Sequence, residues 1–559
     1  MRDHTQTAKG GGPPALSSLR KSLSALRNRE TTLKRTGQSC TAIQIQIQTV
    51  RTEYFTQMKT QKENHWKAFV DDPTNPWKAN KYTHIEPGPR EVPALQGGIG
   101  TVTSDEDKAT ALLQAFCPPQ PEPEHESTEE TGEEEREGGR RRITIPNQEL
   151  SEREIERAIF RSSPKKAPGT DDIPFLVWQH IWESVKGRIL TLYGASLRLE
   201  HLPNSWRIAR IIPIRKPGKP DYTIPKASRP ISLLPTISKG LEAVIAAACR
   251  LWRKDMPYYQ STFGARKKRS CEQAMNILIE RIYEAWRQEK VVSLVTFDVQ
   301  GAFNGVNNQI LKGRLRKRNI SMPLCNWVQD FCSRRMATIA LDAHESDVTP
   351  IAQAGIPQGS PLSPILYIFY NANLVEQPID KTQGALGFVD DFSAWLVGKT
   401  EDDNIRTLQA TVIPKAEKWA KKGGAIFESS KTGLIHFTRN NNLEQTAQLR
   451  FQGIEIKEVT EVKLLGVTLD KRLKFQKHVA RVTAKATRQC LAIKRLRGVR
   501  PKQARQLYNA TVVPIMDYCA SAWFGPGKWG TRSLLRDMEK VQRIELKQWS
   551  LHSEPQPYR

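Results

Sequence analysis

Residues 387–397 read Gly-Phe-Val-Asp-Asp-Phe-Ser-Ala-Trp-Leu-Val, two apolar arms around an adjacent pair of carboxylates. Aromatic and β-branched arms flanking a polar pair predict a hairpin with Asp390 and Asp391 at its turn. A second run, Val291-Val292-Ser293-Leu294-Val295-Thr296-Phe297, reads as a buried strand that delivers Asp298 at its C-terminal end. A carboxylate beside a buried strand has to be met by a cation, a metal or hydrogen bonds, because burying it unpaired is strongly unfavourable. Taken singly, Asp298 reads as a strand-end turn or cap residue and the Asp-Asp pair as an ordinary surface turn. Taken together, three carboxylates on two buried-strand ends suit a pair of Mg2+ ions holding a nucleophilic oxygen and a triphosphate in line.

The charge balance points the same way. The 559 residues carry 85 Lys and Arg against 59 Asp and Glu, a net charge of +26, so polyanions are the expected partners. The excess is concentrated near the C-terminus: residues 471–516 hold thirteen Lys or Arg and no Asp or Glu, with Val479, Val482, Leu491, Ile493 and Leu496 at helical spacings. A solvated charged helix accounts for most single charge runs. Forty-six residues without one compensating carboxylate instead predict a helical module whose basic face meets phosphates. No run approaches the roughly 18 apolar residues of a membrane span, so no membrane partner is expected. The N-terminus lacks the apolar core of a secretory signal, which makes a reducing intracellular compartment the default and the eight cysteines thiols. No Cys-x-x-Cys pair or accompanying His cluster suggests a structural zinc.

Between the two acidic sites lies Gly355-Ile356-Pro357-Gln358-Gly359-Ser360-Pro361-Leu362-Ser363-Pro364, a rigid turn that fixes a polar Gln and runs into the apolar, helix-like stretch 365–375. Upstream, residues 211–219 and 228–234 read as a strand pair with cations at its ends, among them Lys216 and Arg229. Such cations grip phosphates, or they are solvated loop charges.

The ordered series Lys166-Ala167-Pro168-Gly169, Arg229-Pro230-Ile231, Phe297-Asp298 with Ala302-Phe303, Pro357-Gln358-Gly359-Ser360-Pro361-Leu362-Ser363-Pro364, Phe388-Val389-Asp390-Asp391, Lys431-Thr432 and Leu465-Gly466-Val467 resembles the reverse transcriptases of non-LTR (LINE-type) retrotransposons over about residues 150–540. Trp66, Pro87-Gly88-Pro89, the cluster at Pro118, and Tyr508 to Trp523 resemble flanking parts of fungal-type elements of this kind. The resemblance implies an α+β right-hand polymerase: fingers, a palm with an antiparallel sheet carrying the acids, and a helical thumb. By the same resemblance Asp298 and Asp390 bind two Mg2+ ions, the Val299 carbonyl adds a ligand, and Asp391, counted with the metal set, supports the site or binds indirectly. Phe303 lies under the incoming sugar and rejects a 2′-hydroxyl; by its residues alone it reads as a core Phe. Arg229 and Lys216 contact the triphosphate, Gln358 lines the nucleotide and template pocket, and Lys431 stands near the leaving pyrophosphate as a possible general acid. Leu465-Gly466-Val467 grips the primer end, and the basic helices, with Arg481, Lys485 and Arg488, hold the duplex. The implied partners are an RNA template, a DNA primer and target DNA, and deoxynucleoside triphosphates. The implied setting is a ribonucleoprotein of nucleus and cytoplasm.

Composition sets off an N-terminal extension (1–118) that reads as partly helical and not an enzyme domain, and an acidic disordered linker (119–146) with nine Glu between residues 122 and 137. The resemblance then divides the rest into fingers and the start of the palm (147–290), the palm with the acidic motifs (291–470) and a basic helical thumb with the C-terminal region (471–559). Two departures from the family stand out: Asn304 where a second Asp usually follows the Ala-Phe, and Val389 where Ala is commoner. Neither an apurinic-type endonuclease nor an RNase H domain is recognisable, so the chain reads as a fragment or decayed copy of a longer polyprotein. A catalytically silent nucleic-acid-binding remnant is the competing expectation. A splicing maturase or RNA-templated RNA polymerase on the same palm is the third, and Phe303 speaks against ribonucleotide use.

Overall fold

The computed structural model describes residues 14–72, 75, 92–97, 100–118, 150–251, 261–341, 344–351, 355–376, 379–440, 447–496, 499, 501–525 and 531–550. The Glu-rich linker, Trp77 and Pro87-Gly88-Pro89 lie outside these residues. The chain divides into two units, Pro87–His478 with Ser521–Pro526, and Met1–Glu86 with Val479–Ala520 and Gly527–Arg559. No helix among the described residues is long and apolar enough to cross a membrane.

The larger unit is built on two sheets. The central sheet has four antiparallel strands in the order Gln383–Phe388, Asp391–Gly398, Val291–Phe297, Gly433–Phe437. The Val291–Phe297 strand is buried on both faces apart from Thr296, as its unbroken apolar run predicts. Helices cover it: Cys271–Arg287 turns Met275, Leu278, Ile279 and Ile282 inward, and Trp286 donates to the Phe437 carbonyl at 3.1 Å. From Glu401–Ala410, buried Asn404 donates to the Val291 carbonyl at 3.0 Å. Beneath the hairpin turn, Ser363–Val375 is buried on nearly every side.

The outer sheet has five strands. Ser228–Leu233 pairs antiparallel with Ile208–Arg215, which runs parallel to Met336–Leu341; His344–Glu345 and Thr349–Pro350 complete it. The expected strand pair is thus present, with Ile214 opposite Arg229. A capping box opens helix Glu152–Arg161, Ser151 and Glu154 each accepting from the other's amide.

Residues 92–116 belong to this unit, whereas the composition groups them with the N-terminal extension. The hairpin Leu95–Gly97 and Gly100–Val102 leads into helix Asp105–Phe116, capped by Ser104. Leu112 and Phe116, four residues apart, lie on one face and are buried with Leu95 against Ile211, Ala337 and Ile339 of the outer sheet. That spacing is the signal that a boundary drawn on composition passes over.

The smaller unit is helical. Pro14–Arg35 and Thr41–Asp71 pack on each other. Helix Gln476–Lys494, most of which lies in this unit, buries Val479, Val482, Ala486, Cys490 and Ile493 while Arg481, Lys485 and Arg488 share an exposed face at i, i+4 and i+7. The basic face expected from the sequence is there.

One polar pair sits inside the central sheet. His436, fully buried, stands opposite Ser293, and its Nδ1 lies 2.6 Å from the Ser293 hydroxyl. Burial pushes the His436 imidazole down to about 4. The unfolded chain, with an ordinary histidine near 6.5, therefore binds a proton that the folded chain does not between pH 6.5 and 4, and stability falls as pH is lowered through that window. The full effect is about 3 kcal/mol. Thermal unfolding of the wild type and of His436→Gln at pH 7.5 and 4.5 checks this: the wild type should lose more stability on acidification than the variant.

Candidate active site

The register of the central sheet assembles the acids. Phe297 and Phe392 are the last residues paired between the two strands; Asp298 and Asp391 are the next residue on each, and Asp298 is near enough to repel the Asp391 charge. Phe388 pairs with Asp391 across a two-residue turn made by Val389 and Asp390. Asp298, Asp390 and Asp391 thus meet at one end of the sheet. Directly behind them Phe297 stacks on Phe392 at 5.3 Å and meets Phe427 at 5.6 Å and Phe451 at 5.2 Å.

The turn is strained and firmly held. Val389 has φ +60°, a conformation that costs a β-branched residue about 1–3 kcal/mol. Buried Asn371 of helix Ser363–Val375 donates to the Val389 carbonyl at 2.6 Å. On the outer side Phe263 N donates to Gly387 O and Gly387 N to Ser261 O, both at 2.8 Å. Gly264 allows this approach: a Cβ there would stand 2.7 Å from both Cγ2 and N of Val389.

Asp390 and Asp391 are exposed, yet the protein around them disfavours their charge. Desolvation, with repulsion from Asp390 and Asp298, pushes the Asp391 carboxyl up to about 6. Asp390 is raised by desolvation and by Asp298, while Arg229 opposes the shift. Half-buried Asp298 accepts from Lys431 Nζ at 2.7 Å, and Lys431 also bonds to Glu428. Lys216 is lowered by burial and by repulsion from Lys219, Lys431 and Arg229, with Glu428 acting the other way. The cations read from the sequence and the three acids therefore share one electrostatic neighbourhood.

Among the described residues no three His, Cys, Asp or Glu side chains already close around a metal-sized point. Asp298 is turned toward Lys431 instead. The donor set nevertheless fits a hard divalent cation: three carboxylates that repel one another, with the Val299 carbonyl next in line, supply only oxygen ligands.

Other residues take defined places. Phe303 stacks on buried Tyr367 at 5.5 Å, and its carbonyl accepts from Ile356 N at 3.0 Å. The Gln358 loop is tied to the Arg229 strand through Ser232 N and Gln358 O at 2.8 Å. Asn304 donates to the Phe116 carbonyl at 2.6 Å, a bond that an ionised Asp cannot make. Leu465 and Gly466 form a two-residue turn between Glu461–Leu464 and Val467–Asp470, both with positive φ, while Val467 itself is buried. Val459 N donates to Leu434 O at 2.8 Å, which attaches the segment leading into this hairpin to the edge of the central sheet. Two residues escaped sequence reasoning. Glu428 is signalled only by its i, i+3 spacing to Lys431, and Asn371 only by its polarity inside a buried helix.

The central antiparallel sheet thus gathers carboxylates from a strand end and a neighbouring hairpin turn, with Arg229 of the outer sheet in their electrostatic neighbourhood. Residues 214–469 match the family of reverse transcriptases (RNA-dependent DNA polymerases). This stretch of the chain is thus a reverse transcriptase domain, and the chain is similar to RNA-directed DNA polymerases of mobile elements. It is 27% identical over 393 residues to a probable RNA-directed DNA polymerase from transposon BS of Drosophila melanogaster, covering 68% of this chain and 43% of that one. It is 26% identical over 377 residues to the corresponding protein of the X-element of the same species, covering 66% and 41%. With the RNA-directed DNA polymerase from mobile element jockey of that species it shares 24% over 353 residues, covering 61% and 37%. The chain thus spans less than half the length of these relatives. A telomerase from Candida tropicalis superposes on 68% of this chain and 68% of its own at a TM-score of 0.35 and 11% identity, too distant a likeness to build on.

The Asn304 bond predicts an outcome for restoring the family's usual acid. Asn304→Asp should lower stability by about 1–3 kcal/mol, because the new carboxylate faces the Phe116 carbonyl without a proton to share. Urea unfolding of the two proteins at pH 8 checks it.

Proposed function

We propose that this chain is an RNA-directed DNA polymerase that extends a primer 3′-hydroxyl with deoxynucleotides on an RNA template, in the service of retrotransposition. The observation that carries the reading is that Asp298 and Asp391 flank the last paired residues Phe297 and Phe392, with Asp390 in the adjoining turn, and share an electrostatic neighbourhood with Lys216, Arg229 and Lys431. In the reaction the primer 3′-oxygen forms a bond to the α-phosphorus of the incoming nucleotide, the bond from that phosphorus to the bridging oxygen breaks, and pyrophosphate leaves. Asp298, Asp390 and the Val299 carbonyl hold two Mg2+ ions, with Asp391 in support. When bound, such ions activate the attacking oxygen and neutralise charge on the triphosphate.

The protein's own groups do the rest. Arg229 and Lys216 receive the triphosphate, and Lys431 stands where it gives a proton to the leaving pyrophosphate. Phe303, fixed by its stack on Tyr367 and by the bond to its carbonyl, fills the space a 2′-hydroxyl needs and so selects deoxynucleotides. Gln358, in a loop tied to the Arg229 strand, lines the nucleotide and template pocket. The Leu465–Gly466 turn presents the primer end. Arg481, Lys485 and Arg488 hold the phosphates of the primer–template duplex and, in the element, of target DNA. The setting we infer is an intracellular ribonucleoprotein passing between cytoplasm and nucleus, as the +26 charge suits.

Primer extension on poly(A) with Mg2+ tests the reading. Asp390→Ala should lower extension by about a hundredfold or more, while Phe303→Ala should retain extension and incorporate ribonucleotides more readily. A wild-type chain that binds a primer–template with steep salt dependence yet extends nothing would contradict it.

A further inference from the structure

Lys431 occupies the carboxylate that the polymerase reading gives to the divalent ions. Its Nζ donates to Asp298 Oδ2 at 2.7 Å and also to Glu428 Oε2. Both contacts follow from backbone placement. Ile426–Phe427 runs antiparallel to Val299–Gln300 with Phe427 abreast of Val299, and the Glu428 amide donates to the Asp298 carbonyl at 2.9 Å. Asp298 and Glu428 therefore stand opposite each other on a short ladder, where like charges repel. The single turn Ser429–Lys431, entered through a bond of 2.9 Å from Lys431 N to Glu428 O, folds the lysine back over the pair. The side chains of Asp298, Glu428 and Lys431 retain 40%, 37% and 48% exposure. Water screens such pairs, so the ammonium exchanges one carboxylate for the other at little cost.

We propose that Lys431 is the resident counter-cation of Asp298 in the metal-free protein, and that Glu428 is a positioning residue that takes the ammonium over when a divalent ion enters. The proposal rests on the reading of Asp298 as a metal ligand. A lysine with Asp298 as its one partner competes with the ion and, once displaced, swings away. With Glu428 already bonded to the same ammonium, it has only to release Asp298, and it stays beside the site where the pyrophosphate leaves. Glu428 acts through Lys431 and not on the ion itself.

Titration of the full chain with Mn2+, without nucleotide, following free Mn2+ by electron paramagnetic resonance, tests this. Lys431→Met should bind Mn2+ roughly tenfold more tightly than the wild type, since a unit positive charge beside the site is gone. Glu428→Gln should bind it about three- to tenfold more weakly, because the ammonium then has Asp298 alone. Combined with Lys431→Met, Glu428→Gln should have no further effect. Wild-type affinity in Lys431→Met overturns the proposal. So does equal weakening by Glu428→Gln in both backgrounds, which would mean that its carboxylate acts on the ion directly. Asp298→Asn separates the two levels. If it titrates as the wild type, no ion sits on Asp298 and the polymerase reading falls with the proposal. If it loses the site while the Lys431 and Glu428 variants match the wild type, the proposal falls alone.

Discussion

The contact on which the site depends is the packing of Phe297 against Phe392, with Phe427 and Phe451 closing around them. Strand register is a discrete choice. A slip of one residue would turn every side chain of Val291–Phe297 to the opposite face and carry Asp298 away from Asp391. Four rings that fit in only one alignment make that slip expensive, since removing a single buried Phe side chain costs about 3–5 kcal/mol. The aromatic cluster thus fixes the acids' positions.

Stability is then spent locally at the turn. Val389 is held in a left-handed conformation by Asn371 behind it, by the paired segment Ser261–Phe263 beside it and by the space that Gly264 leaves. Carboxylates that disfavour each other's charge sit on that turn and on the neighbouring strand end. Strain and repulsion are concentrated on a few residues, within a sheet otherwise buried and paired, which is the pattern of a functional site.

Much of this was legible in the sequence because it rests on short-range patterns. The unbroken run 291–297 and the two-armed run 387–397 specify strands by period and length, and each displays its Asp as the break in an apolar sequence. The basic face of Arg481, Lys485 and Arg488 follows from helical spacing in the same way. What stayed hidden depends on residues far apart in the chain. Lys431 reaches Asp298 across 133 positions, and Asn304 reaches Phe116 across 188. No local pattern foretells either, so Glu428 reads as one more surface acid and Asn304 as a departure from family. Composition likewise sets residues 92–116 apart from the larger unit, where Leu95, Leu112 and Phe116 bury themselves.

The central claim is that strand ends remote in sequence converge on one site for divalent ions. Iron-directed cleavage measures this directly: Fe2+ bound in place of Mg2+, with ascorbate and peroxide, cuts the backbone wherever it lies near the ion. The account predicts cuts close to both residue 298 and residues 390–391 in the same molecule, suppressed together by excess Mg2+. Cuts confined to one of these segments, or cuts that Mg2+ leaves unchanged, would contradict it.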